Sequence, residues 1–209
     1  PAMPLSDTLW QANLDLARIC LELPFLQGIG DGSLARPRFA YYIGQDAFYL
    51  QAFARAYAIA AAKAPDWIGY RSLHELAGDA LQEMQLHRGV AEAFEIDLER
   101  ITPGAATRRY VDFLLATAWG QETGMTIAAM TPCMRLYAWL GRQLADRQQA
   151  PHPYSDWITT YGSEDFERAA ARLERLLDRY TPDTPATADA YRYAMQCERD
   201  FFQAAWRAG

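Results

Sequence analysis

The stretch Arg36-Pro37-Arg38-Phe39-Ala40-Tyr41-Tyr42-Ile43-Gly44-Gln45-Asp46-Ala47-Phe48-Tyr49-Leu50-Gln51-Ala52-Phe53-Ala54-Arg55-Ala56-Tyr57 decides the fold class. Phe39, Ile43, Phe53 and Tyr57 fall where one face of a helix would bury them. Pro37 sits in the first turn, where its missing amide is tolerated, and Ser33 stands in front as a capping candidate. The pattern runs to Lys63, and Ala64-Pro65-Asp66 closes it. Apolar residues repeat at the same three- and four-residue spacing along nearly the whole chain, and no segment shows the sustained alternation of strands between hairpin turns.

Upstream, a helix over 5–21 ends at Leu23-Pro24, because a proline disfavours helical geometry in the residue before it, and Gly28-Ile29-Gly30-Asp31-Gly32 reads as a loop. Downstream, helices are expected at 67–93, 106–118 and 125–144, the last with Pro132 inside it and a kink there. A short helix runs through Trp157 to Thr160. Ser163, followed by Glu164 and Asp165, begins another by capping and dipole, and a final one covers 187–208. The expectation is an all-α, orthogonally packed bundle of about eight helices, a single domain over 5–208. Pro1-Ala2-Met3-Pro4 reads as an expression remnant.

The chain has 209 residues, 51% hydrophobic and 13% aromatic, enough for one sizeable core. Its net charge is −6 and its pI about 5.1, with Lys and Arg scattered. No basic face exists to neutralise phosphates or anionic lipids, no helix-turn-helix can be picked out, and no apolar run approaches a membrane span. Neither nucleic acid nor membrane is an expected partner, and a cytoplasmic location is expected. Cys20, Cys133 and Cys197 make neither a CxxC pair nor an even disulfide framework.

Asp46 and Tyr49 share a helix face whose neighbours are apolar, so Asp46 either meets an internal donor or faces a polar pocket. Cys133 and Tyr137 form a similar pair, four apart, just after Pro132; packing in the core is the plain alternative for the thiol. Glu198 lies among Tyr191, Met195, Phe201, Phe202 and Trp206. A Glu buried there can have its pKa raised towards neutrality and exchange protons, while a nearby Cys needs help to become thiolate. Glu83 and His87, at i and i+4, have a metal-ligand spacing, but no second Glu-x-x-His accompanies them, as a di-iron bundle would require. They read as a helix–helix contact, and no metal is expected.

Asp31-Gly32-Ser33-Leu34 followed by Gln45-Asp46-Ala47-Phe48-Tyr49-Leu50 resembles the N-terminal signature of the TenA/thiaminase II family. Glu83-Met84-Gln85-Leu86-His87, Pro132-Cys133-Met134-Arg135-Leu136-Tyr137, Trp157-Ile158-Thr159-Thr160-Tyr161-Gly162 and Glu198-Arg199-Asp200-Phe201-Phe202 resemble its later signatures, in order. Tyr110 falls where the family places another pocket tyrosine. Ala47, Phe48, Met134, Arg135 and Phe202 depart from the usual pattern, whereas Cys133 marks the cysteine-containing branch.

The resemblance implies a heme-oxygenase-like fold without heme, no cofactor, and assembly as a homotetramer. It implies Cys133 as nucleophile, Glu198 as acid/base and Asp46 on the aminopyrimidine edge, with Tyr49, Tyr110, Tyr137, Tyr161 and Phe201 around the substrate. The activity implied is hydrolysis of an aminomethyl aminopyrimidine, and less readily of thiamin, to the hydroxymethylpyrimidine in thiamin salvage. The alternative is a protein of the same fold that binds a pyrimidine without cutting it, or regulates transcription indirectly.

Overall fold

The computed structural model describes residues 2–147 and 150–208, so Pro1 of the expected remnant lies outside the described residues. Among them are ten α-helices: α1 (Leu5–Ala12), α2 (Leu14–Glu22), α3 (Pro24–Asp31), α4 (Arg36–Ala62), α5 (Trp67–Ala93), α6 (Ala105–Gly120), α7 (Thr123–Ala145), α8 (Ser155–Tyr161), α9 (Glu164–Tyr180) and α10 (Pro185–Arg207). A single 3-10 turn, Leu98–Arg100, links α5 to α6, and no strand occurs among the described residues.

The central element is α4, packed against α5, α6, α7 and α10. Its Phe39, Tyr42, Tyr49, Phe53 and Tyr57 are buried in the core, and Ala52, Ala56, Ala60 and Ala61 bury small faces that let neighbouring helices come close. Helix α9 is the opposite case, burying only Ala170, Leu173, Leu176 and Leu177 along a stripe and giving its charged side to solvent. Caps set several boundaries. Asp66 accepts the Gly69 amide at 2.8 Å to start α5, Ser163 accepts the Phe166 amide at 3.1 Å to start α9 as expected, and Thr184 starts α10 ahead of Pro185.

Four expectations need correction. The first helix is broken at Asn13, whose side-chain amide donates to the Leu9 carbonyl at 2.8 Å, so α1 and α2 are separate. The glycine-rich 28–32 segment is not a loop but the second half of α3, and Gly28 is needed because a Cβ there would stand 3.0 Å from the Leu34 Cα. Only Gly32, in the left-handed region at φ 80°, ends that helix. Ser33 does not cap α4, whose N-cap is Ala35; its amide instead donates to Asp31 in a local turn. The count is therefore ten helices rather than about eight. Pro132 lies inside a continuous α7.

One close approach places the functional face. A Cβ on Gly141 would lie 2.3 Å from the Tyr161 carbonyl carbon, so α7 and α8 touch backbone to backbone. Gly141→Ala should destabilise the protein by about 1–3 kcal/mol through overpacking. Gly78, in α5, has open space around its Cβ position, and Gly78→Ala should stabilise by about 0.5–1 kcal/mol. Urea unfolding midpoints of the two variants should move in opposite directions; movement in the same direction would refute the contact.

Candidate active site

The polar residues singled out in the sequence come from different helices and converge. Helix α4 brings Asp46 and Tyr49, α7 brings Cys133 and Tyr137, and α8 brings Tyr161, and all five line one internal cavity. The cavity also takes in Glu83 of α5, which the sequence reading assigned to a helix contact. Its free volume is about 20 Å³, room for about one water molecule. Beyond Glu83, Met134, Tyr161 and Phe166 it adjoins an outer groove of about 470 Å³.

Glu198 of α10 is 2% exposed and accepts the Tyr110 hydroxyl of α6 at 2.6 Å. The Cys133 thiol stands close enough to the same carboxyl for each to shift the other's titration. The Tyr49 hydroxyl, buried beside Cys133 and Tyr110, has no hydrogen-bond partner among the described residues. Phe201, one turn after Glu198, sets its ring edge-on to Tyr42 and Tyr49 at 5.9 and 6.1 Å. Tyr42 adds a contact that sequence reasoning did not assign to the site: its hydroxyl meets that of Tyr137 at 2.8 Å and accepts the Trp157 indole N–H at 3.3 Å.

Asp46 has both an internal donor and a cavity. Its Oδ2 lies 2.5 Å from His87 Nε2, and His87 Nδ1 lies 3.2 Å from the Glu83 carbonyl. Both ring nitrogens face acceptors, an arrangement that suits the doubly protonated imidazolium. The helix–helix contact expected of Glu83 and His87 is present, but it is the wall of the site: His87 reaches α4, and the Glu83 carboxyl accepts the Tyr161 hydroxyl of α8 at 3.1 Å. The signal that would have pointed to His87 is the need of Asp46 for a donor, set against a chain holding three histidines.

Burial pushes Glu198 up to about 7, against the pull of the hydrogen bond from Tyr110, and the Asp46 charge adds to the rise. Burial raises the Cys133 thiol well above its ordinary value, and the nearby Glu198 charge adds to the rise. Glu83 is lifted to about 6 by burial and then by Asp46, while His87 and Tyr161 work the other way. Burial disfavours the His87 cation, but the Asp46 carboxylate outweighs it and the pKa stands at about 9. At neutral pH the site thus holds a protonated thiol beside a carboxyl balanced between its two forms, and an imidazolium–carboxylate pair across the cavity.

Cys20 and Cys197 are buried in the hydrophobic core, as expected of the remaining thiols. No helix among the described residues is long and apolar enough to cross a membrane.

A family model for the TENA/THI-4/PQQC family matches residues 15–208. The aminopyrimidine aminohydrolase of Halalkalibacterium halodurans is 37% identical over 161 residues, covering 74% of this chain and 72% of that protein. The thiamine biosynthesis multifunctional protein ThiED of Corynebacterium efficiens is 36% identical over 216 residues, covering 100% of this chain; the chain spans 29% of that protein's length. The solved structure of a TenA homologue from P. horikoshii superposes with a TM-score of 0.91 at 25% identity, covering 99% of this chain and 100% of that one. The bundle is the heme-oxygenase-like one anticipated from the motifs. With the match spanning the helices that carry Asp46, Cys133 and Glu198, the chain belongs to the TENA/THI-4/PQQC family.

Proposed function

We propose that this chain hydrolyses the exocyclic C–N bond of an aminomethyl aminopyrimidine, releasing the amine and the hydroxymethylpyrimidine, with thiamin a poorer substrate. The observation that carries the reading is the buried Glu198 carboxyl, held by the Tyr110 hydroxyl at 2.6 Å and with a pKa of about 7, near a thiol that needs a base. Relatives named aminopyrimidine aminohydrolase support the substrate class.

In this reading Asp46 holds the amino edge of the ring through Oδ1, since Oδ2 is taken by His87. Tyr49, Tyr137 and Tyr161 enclose the ring and exclude water, which strengthens each polar contact. The Cys133 thiol gives its proton to Glu198 as sulfur bonds to a ring carbon. Electrons then move out of the ring to form an exocyclic double bond, and the amine departs with the proton from Glu198. Water adds to the exocyclic methylene and gives a proton to Glu198. The carbon–sulfur bond breaks, aromaticity returns, and the sulfur recovers its proton. The net change is one water consumed and one amine released. The proposed assembly is a homotetramer, for which the exposed Trp67, Ile68, Leu81 and Trp119 supply apolar surface.

Cys133→Ser should keep the fold and pyrimidine binding and lose turnover, while Cys20→Ser and Cys197→Ser stay active; amine release together with calorimetry separates these outcomes. Glu198→Gln should slow the reaction by roughly two to four orders of magnitude. Because Glu198 must be ionised to take the thiol proton, kcat/KM should rise as pH climbs through about 7 and level off above it. Tyr110→Phe removes a bond that favours the ionised form, so that limb should move to higher pH; a limb that stays in place would take Glu198 out of the role. Light scattering should give four times the 23.6 kDa chain mass, and a monomer would rule out the assembly.

A further inference from the structure

The groove outside the cavity is large, at about 470 Å³, and shares Phe53, Glu83, Met134, Tyr161 and Phe166 with it. Anything bonded to the departing nitrogen of a substrate whose ring sits against Cys133 has this groove as its next space. Three carboxylates line it, Asp79, Glu83 and Asp165, and no Lys, Arg or His does. Asp79 and Glu83 are one turn apart on α5 and project to the same side. The arginines nearby are already engaged: Arg168 pairs with Asp165 and Glu164, and Arg172 with Glu75.

A second observation comes from Tyr57. Its ring lines the groove, it is 1% exposed, and its hydroxyl has no hydrogen-bond partner among the described residues. It stacks edge-on against Phe53, which faces both groove and cavity. The remaining walls are apolar, from Leu76, Leu86 and Phe166. Apolar and aromatic walls with carboxylates at the side suit an organic ammonium, whose charge is spread over alkyl groups and need not be fully stripped of water. The same lining repels a phosphate.

We propose that the groove formed by Asp79, Glu83, Tyr57 and Phe166 is a leaving-group subsite that selects substrates whose departing amine carries an organic cation. The inference rests on the hydrolase reading above and adds to it the class of leaving group. Asp79 is the residue for testing it, being exposed and outside the cavity.

Two substrates on the same aminopyrimidine separate the terms. In one, the departing nitrogen bears an ethyl arm tipped with trimethylammonium; in the other, the tip is the neutral isostere tert-butyl. The ratio of their kcat/KM values is measured in wild type, Asp79→Asn and Asp79→Lys, so that intrinsic differences between the two amines cancel across variants. The cation preference should fall about threefold in Asp79→Asn and about tenfold in Asp79→Lys, as for ion pairs in partly solvated grooves, and should shrink in high salt. An unchanged ratio in both variants, while wild type still cleaves the unsubstituted aminomethyl compound, would overturn the subsite alone. Failure of wild type to cleave that compound would overturn the hydrolase reading and the subsite with it.

Discussion

A carboxyl group taken out of water must be given a donor, and the Glu198 carboxyl, 2% exposed among aromatic rings, is given the Tyr110 hydroxyl at 2.6 Å. That bond ties α10 to α6. On the other side of the cavity the same constraint ties α4 to α5 through Asp46 and His87. Removing one partner costs about 3–5 kcal/mol for the ionic Asp46–His87 pair and about 1–3 kcal/mol for the Tyr110–Glu198 hydrogen bond, so the helix arrangement and the polar geometry support each other. The cavity exists because two pairs of helices are pinned by polar groups that pure hydrocarbon packing would have expelled.

The two pairs differ in kind. Asp46 has a cation beside it, and the pair holds a fixed charge distribution over the neutral pH range. Glu198 has only neutral donors, so burial wins and its pKa rises to about 7. Asp46 lines the cavity with His87 on its far oxygen, while Glu198, which is not part of that lining, is suited by its burial to exchanging protons. Placing a cation beside Glu198 would make it a better ion and a poorer acid.

The all-helical class was legible because periodicity is local, and α4, α5 and α9 begin and end close to where the residues predict. Asp46, Cys133 and Glu198 stood out for a local reason as well: each is a polar group among apolar neighbours. What stayed hidden depends on distance along the chain. His87 is 41 positions from Asp46, and its i, i+4 spacing to Glu83 read as a helix–helix contact with no partner named until α5 was laid against α4. The glycines of α3 were misread because a Gly chosen for close approach and a Gly chosen for a turn look the same in sequence; only the backbone of Leu34 against Gly28 tells them apart. The break at Asn13 was missed for a related reason, since apolar spacing continues across it while an amide side chain competes with the helix ladder.

The closed cavity leads to a last point about entry. About 20 Å³ admits a water molecule and not an aromatic ring, so a pyrimidine enters only if side chains on the shared wall give way. Of the five residues that face both spaces, Tyr161 is held by Glu83 and by ring contacts to Tyr137, Trp157 and Phe166. Met134 is unbranched, without a ring, and swings at the least cost in lost contacts. Standing next to Cys133, it gives the shared wall its softest point.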